Sequence, residues 1–242
     1  MVMKINTSVV LFAACLFLAA CGSIQQTNVV VKTQKSSLSS SEKEVFVEGN
    51  GEMADFYLGK YEVTQQEFEK VMGYNPSHYA GTSLPVENVN WMQALEYCNR
   101  LSEQSGYSPY YDLNTDPVSV NEASDGFRLP TPAEWKFAAS GGIKSAGFDF
   151  SGSNTSSEVA WFRGNGGGKT HAVGGKKANE LGLYHMSGNV YEWTFGTGKH
   201  KPILGGCFGD VEEYLMPSNS NFSLPEEKSQ YTGFRVARNA KP

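Results

Sequence analysis

The chain has 242 residues, a formal net charge of −5, and 40% hydrophobic against 19% charged residues, which is the make-up of a protein that can bury a core. The acidic balance excludes nucleic acid as a partner, because binding phosphates requires a basic face. Beyond Cys21 only Cys98 and Cys207 remain, enough for one disulfide at most, so this is no disulfide framework.

Lys4 precedes an apolar run from Val9 to Ala20 that closes on Leu18-Ala19-Ala20-Cys21. A charged start, an apolar stretch too short for a comfortable bilayer span, and small residues before a cut together make a secretion signal. The cysteine placed directly after Leu-Ala-Ala resembles a bacterial lipoprotein signal. That resemblance implies removal of residues 1–20 and a lipid on Cys21; an ordinary cleaved signal or a short anchor is the alternative. Removal would leave 222 residues, enough for one large domain or two small ones, and would make the chain still more acidic. Residues 22–43 are rich in Ser, Gln, Thr and Lys around one Val-Val-Val patch and cannot bury enough surface to order themselves. They are expected to be a flexible tether that holds a domain of residues 44–242 off a membrane.

From Val45 to Val63 the pattern predicts two short strands broken at Gly49–Gly51. Thr64-x-x-Glu67 is a capping box opening a helix over Gln65–Met72, and Asn90-x-x-Gln93 opens a second. In that second helix Trp91, Ala94, Leu95, Cys98 and Leu101 recur at helical spacing, which places Cys98 in the core. Thr131-Pro132-Ala133-Glu134 starts a third, short helix ending by Gly141. The rest is glycine- and serine-rich with isolated aromatics and no internal repeat, an irregular α+β domain. Gly182–Gly206 alternates apolar and polar residues and turns at Ser187-Gly188-Asn189. It predicts a strand, a tight turn with a positive-φ position and a second strand carrying Glu192 between Tyr191 and Trp193. After Gly206 the chain reads as a loop-rich face built on that scaffold.

Candidate chemistry is sparse. His78, His171, His185 and His200 show no metal-ligand spacing, and there is no Gly-x-Ser-x-Gly nucleophile turn. Asn165-Gly166-Gly167-Gly168-Lys169 lacks the residue order of a phosphate loop and the apolar strand before it. Cys98 and Cys207 are too far apart in sequence to make a local redox pair. Cys207, after two glycines, reads either as a reactive thiol or as a small residue in a tight turn. Glu192 reads either as a turn acceptor and salt-bridge partner or, with the carbonyls of the Ser-Gly-Asn turn, as part of a calcium cage.

Taken together, these pieces resemble the sulfatase-modifying family that includes the formylglycine-generating enzyme. The residues that carry the likeness are Phe56-Tyr57-Leu58-Gly59-Lys60-Tyr61-Glu62-Val63-Thr64, Leu84-Pro85-Val86-Glu87-Asn88-Val89-Asn90-Trp91, and Ala94-x2-Tyr97-Cys98-Asn99. They continue with Phe127-Arg128-Leu129-Pro130-Thr131-x2-Glu134-Trp135, Asn179-Glu180-Leu181-Gly182-Leu183-Tyr184, Gly188-Asn189-Val190-x-Glu192-Trp193, Gly205-Gly206 and Gly233-Phe234-Arg235. The resemblance implies a C-type-lectin-like domain, α+β, with few short helices and short antiparallel strands. It does not carry the oxidase activity, because oxidising members place a copper-binding Cys-x4-Cys pair beyond the Gly-Gly. Here Cys207 stands alone, directly after the glycines. Relatives of the ergothioneine type need a three-histidine iron domain upstream, which is missing. The family's calcium loop is matched at Gly188, Val190 and Glu192, with His185 in place of the usual Asn or Asp. The sugar-binding signatures of lectins are absent.

A second resemblance is to variable proteins diversified by retroelements, which share this fold and end in a hypervariable cassette between Gly-Gly and Gly-Phe-Arg. Cys207–Thr232 is 26 residues, with Pro225 at a matching place. This likeness implies a ligand-binding set of Cys207, Gly209, Asp210, Val211, Glu213, Tyr214, Asn219, Asn221, Phe222, Ser223 and Tyr231, polar and aromatic types that make adaptable paratopes. The expected protein is then a monomeric, non-catalytic lipoprotein of an outer membrane or cell surface, without a cofactor. Its expected partner is a protein or peptide, basic because Asp210, Glu212, Glu213, Glu226 and Glu227 face a single lysine, Lys228, in the cassette. The alternatives are an oxidase or thiol enzyme working through Cys207 on a peptide cysteine, and a structural envelope lipoprotein.

Overall fold

The computed structural model describes residues 43–240; the predicted signal, Cys21 and the tether up to residue 42 lie outside the described residues. Strands β1 (Glu44–Val47) and β2 (Phe56–Gly59) pair antiparallel with Val45 opposite Leu58, on either side of the expected glycine break. Helices α1 (Gln65–Met72) and α2 (Trp91–Ser105) follow, each opened by its capping box at Thr64 and Asn90 and each closed by a left-handed glycine, Gly73 and Gly106. A small hairpin of β3 (Tyr111–Asp112) and β4 (Ser119–Val120) leads to β5 (Phe127–Arg128) and to α3 (Pro132–Ala139), where the third capping box joins Thr131 and Glu134. A single-turn helix α4 (Ser156–Val159) has no sequence signal of comparable strength.

The remaining strands are β6 (Tyr191–Trp193), β7 (Lys201–Leu204), β8 (Asn221–Ser223), β9 (Thr232–Gly233) and β10 (Ala237–Asn239). One sheet runs β1-β2-β10-β5, so the last strand sits between two early ones, and the second runs β8-β7-β6-β9. A core of Phe68, Leu95, Cys98, Trp193 and Phe234 lies around α1 and α2. Another, of Phe56, Leu58, Trp135, Met186 and Leu204, lies between α3 and the sheets.

One expectation is corrected: Gly182–Met186 is not a strand. Gly182 and His185 have φ of 86° and 54°, both left-handed, and break the extended path that the alternation suggested. The backbone bonds there are local or run to the first sheet: Gly182 N–H to Asn179 O, Asn179 N–H to Leu183 O and Tyr184 N–H to Lys60 O. The Ser187–Asn189 turn does have the expected positive φ, at Gly188 and Asn189.

Two buried polar knots lie under β6. The Glu192 carboxylate accepts from Arg235 Nε and Nη2, both at 2.7 Å, and from Trp135 Nε1 at 2.7 Å. Arg235 also donates to the carbonyls of Gly59 and Tyr184, which ties the first sheet to the 182–190 segment. Beside it, Glu62 lies 3.0 Å from His185 Nδ1 and accepts from Asn189 Nδ2 at 2.9 Å.

Candidate ligand-binding face

The sheet order explains how the cassette is presented. Its first residue follows β7, and its last enters β9, which pairs parallel with β6 (Tyr191 opposite Thr232). The cassette therefore leaves the sheet on one flank of β6 and returns on the other, giving off β8 to the outer edge of β7 on the way. The exit requires glycine: Gly205 and Gly206 have φ of 95° and 74°, and a Cβ on Gly206 would lie 2.8 Å from the Leu215 side chain.

Residues outside the cassette hold its backbone. Arg163 donates from its N–H to Asp210 O and from Nε to Gly209 O, both at 2.9 Å. Phe208 N–H donates to Asn189 O, the Ser187 hydroxyl to Leu215 O and the Lys136 ammonium to Ser218 O. Farther on, Trp91 N–H reaches Pro225 O and Asn88 N–H reaches Ser229 O. The main chain of the segment is thus pinned while many of its side chains are exposed.

Of the residues expected on this face, Val211, Glu213, Tyr214, Asn221, Phe222 and Tyr231 are exposed, Tyr214 and Phe222 to 55% and 58%. Gly209, Asp210, Asn219 and Ser223 are half-buried. Asn219 Nδ2 donates to Glu213 O at 2.5 Å, and the Ser223 hydroxyl donates to Glu227. Cys207 is corrected from the set. It is 3% exposed within the α1–α2 core, its N–H donates to Asp210 Oδ2 at 2.9 Å, and burial followed by the Asp210 charge pushes its thiol up. Asp210 therefore shapes the loop more than it faces solvent. Cys98 is likewise a free, buried thiol, pushed up by burial.

A hollow of about 290 Å³ opens between β7, the 3-10 turn Glu212–Leu215 and β8. Its lining includes Tyr191 and Ile203 from the strands and Tyr214, Asn219, Ser220 and Asn221 from the cassette. The Tyr191 phenol lies against Asn221 and Asp210 and is pushed up by burial. On the other flank an aromatic row joins Tyr79, Phe208 and Tyr231, with ring centroids 5.6 and 5.0 Å apart. Tyr79 is held from behind, its N–H on Glu87 Oε1 at 2.8 Å and its carbonyl on Gln65 Nε2 at 2.6 Å. Sequence reasoning missed Tyr79, Tyr191 and Ile203, since nothing local marks them; only the pairing of β6 with β7 and the long loop before α2 bring them here.

The calcium alternative at Gly188, Val190 and Glu192 does not fit this geometry. Both oxygens of Glu192 are taken by Arg235 and Trp135, the guanidinium already supplies the compensating charge, and His185 is turned to Glu62. Among the described residues no cluster of three or more His, Cys, Asp or Glu side chains could hold a metal ion. Nor, among them, is any helix long and apolar enough to cross a membrane.

Comparison with known proteins places this architecture. Residues 19–240 match the model of the sulfatase-modifying factor enzyme 1-like domain. A protein of Paenibacillus barcinonensis named chaperone protein LppX is 42% identical over 232 residues, covering 78% of this chain and 80% of its own. Inactive C-alpha-formylglycine-generating enzyme 2 of Bos taurus is 31% identical over 177 residues, covering 65% of this chain and 58% of its own. Among solved structures, Treponema denticola variable protein 1 is similar with a TM-score of 0.71 at 31% identity, covering 77% of this chain and 85% of that one. The fold is the C-type-lectin-like one of this group, α+β with short helices and short antiparallel strands, as the sequence motifs implied.

Proposed function

The chain belongs to the sulfatase-modifying factor enzyme 1-like family, and from that premise we propose that it is a non-catalytic, lipid-anchored surface protein that binds a protein or peptide through its cassette face. The observation that carries the reading is a pinned backbone bearing exposed Tyr214, Asn221, Phe222 and Tyr231. Holding the main chain in advance reduces the ordering entropy of binding, and tyrosine and phenylalanine give large contact area with few rotatable bonds. The likeness to a variable protein and the chaperone name of the LppX relative support a binding role, since a chaperone's partner is a polypeptide. The thiol-enzyme alternative is weakened by Cys207 itself. Reactive cysteines sit exposed in electropositive surroundings, whereas this one is buried beside a carboxylate.

The proposal includes the monomeric state and the address. With a lipoprotein signal ending at Ala20, inhibiting lipoprotein signal peptidase is expected to make an unprocessed precursor accumulate, and Cys21→Ser is expected to abolish membrane retention. A Cys21→Ser chain that is still processed and anchored as before contradicts the anchor.

The charge of the face sets the partner's. Glu212, Glu213, Glu226 and Glu227 are exposed around one exposed lysine, Lys228, so a basic partner is steered in and held. Affinity for a captured partner is expected to fall steadily as the Debye length shrinks from about 30 Å at 0.01 M salt to about 8 Å at 0.15 M. An affinity indifferent to salt would contradict the basic-partner reading.

A further inference from the structure

Resting on the reading of the cassette as a binding face, we infer that the hollow beneath Tyr214 is a pocket for one arginine side chain of the partner. At about 290 Å³ it falls just below the roughly 300–1,000 Å³ of pockets that take a whole small molecule, and it suits a single long side chain. Its surfaces are of two kinds. The Tyr214 ring and Ile203 offer apolar surface for a methylene stem, while Asn219, Ser220, Asn221 and the Tyr191 phenol bring side-chain oxygens to the same lining. No cation is in the lining.

The charges around it agree in sign. Asp210 lies against the Tyr191 phenol, and Glu213 adjoins Tyr214. Two cations of this face are engaged on cassette carbonyls, Lys136 on Ser218 O and Arg163 on Gly209 O. An acidic side chain would meet carboxylates, and an apolar one would cover the Ser220 hydroxyl and the Asn219 side-chain oxygen without offering them a hydrogen bond. Arginine answers both conditions, and its planar fork can stack on the exposed Tyr214 ring and share several acceptors, which a lysine ammonium does less well. The pocket is also composite: Tyr191 and Ile203 lie outside residues 207–232, whereas Tyr214 and Asn219–Asn221 lie inside. The strand residues would give a fixed floor, and the cassette would set the rim that decides which arginine-bearing segment is accepted.

The test is an NMR titration of the full chain, isotope-labelled and held in mild detergent, with N-acetyl-arginine methylamide. Saturable shifts are expected at the Ile203 methyls and at the side-chain amides of Asn219 and Asn221, with weaker shifts from the lysine analogue and none from the leucine or glutamate analogues. Ser220→Phe, at an exposed position on the rim, should plug the hollow and weaken arginine binding at least tenfold. Asn219→Lys, which brings a cation to the site, should do the same if the plug disturbs folding. The inference is overturned if arginine produces no saturable shift, if leucine matches it, or if both folded variants bind arginine like the parent. Partner capture is read separately: a Ser220→Phe chain that keeps its partner at full affinity removes the pocket and leaves the face reading intact.

Discussion

Arg235→Met is expected to destabilise the domain by about 3–5 kcal/mol, the usual result of breaking a buried ion pair by removing one partner. The substitution leaves the Glu192 carboxylate fully buried without its charge partner, and leaves the carbonyls of Gly59 and Tyr184 without their donors. Burial already pushes Glu192 up and the guanidinium pulls it back, so without Arg235 the carboxyl should take up a proton in the folded state. Part of the loss should then be recovered at low pH. At about 2–4 °C per kcal/mol for a domain of this size, the melting temperature should fall by roughly 6–20 °C. Pairing the change with Glu192→Leu should restore part of it, because a matched apolar pair carries no orphaned charge. A melting temperature within about 2 °C of the parent would contradict the structural role given to this pair.

That pair also shows where sequence reading stops. The starts of α1, α2 and α3 were legible because a capping box is a local device, with cap and third residue close in sequence and in space; Thr64–Glu67, Asn90–Gln93 and Thr131–Glu134 all form. Cys98 was legible as core from helical spacing. Glu192 and Arg235 are 43 residues apart, and no spacing rule joins a strand carboxylate to a guanidinium beyond a long loop. The sequence alone therefore leaves both the salt-bridge and the calcium reading of Glu192 open, and the Arg235 pair gives it the first. Gly182–Met186 failed differently. Alternation of apolar and polar residues predicts a strand, but the left-handed residues Gly182 and His185 redirect the backbone, and histidine does not advertise a positive φ.

The face was legible in outline only. Composition and the prolines placed Tyr214, Phe222 and Tyr231 outside the core, and they are exposed. The thiol after the glycines gave no sign of its burial, because the depth of Cys207 depends on a core drawn from residues distant in sequence. Tyr191 was invisible as a site residue, since its own strand is buried and nothing local shows that it lines the hollow beside Asn221.

The measurement that bears most directly on the binding proposal replaces Glu213, Tyr214, Asn221, Phe222 and Tyr231 together with alanine and compares partner capture with that of the parent. These five are exposed, and surface substitutions usually change stability by less than about 0.5 kcal/mol each, so the variant should fold and melt near the parent. Asp210 and Cys207 are left in place because they shape the loop. Aromatic residues at the centre of an interface often contribute 2 kcal/mol or more each, so affinity for any partner captured from host-surface or bacterial extracts should fall by at least about 100-fold, or about 2.7 kcal/mol. A folded variant that retains every partner of the parent at unchanged affinity would contradict the proposal that this face is the binding site.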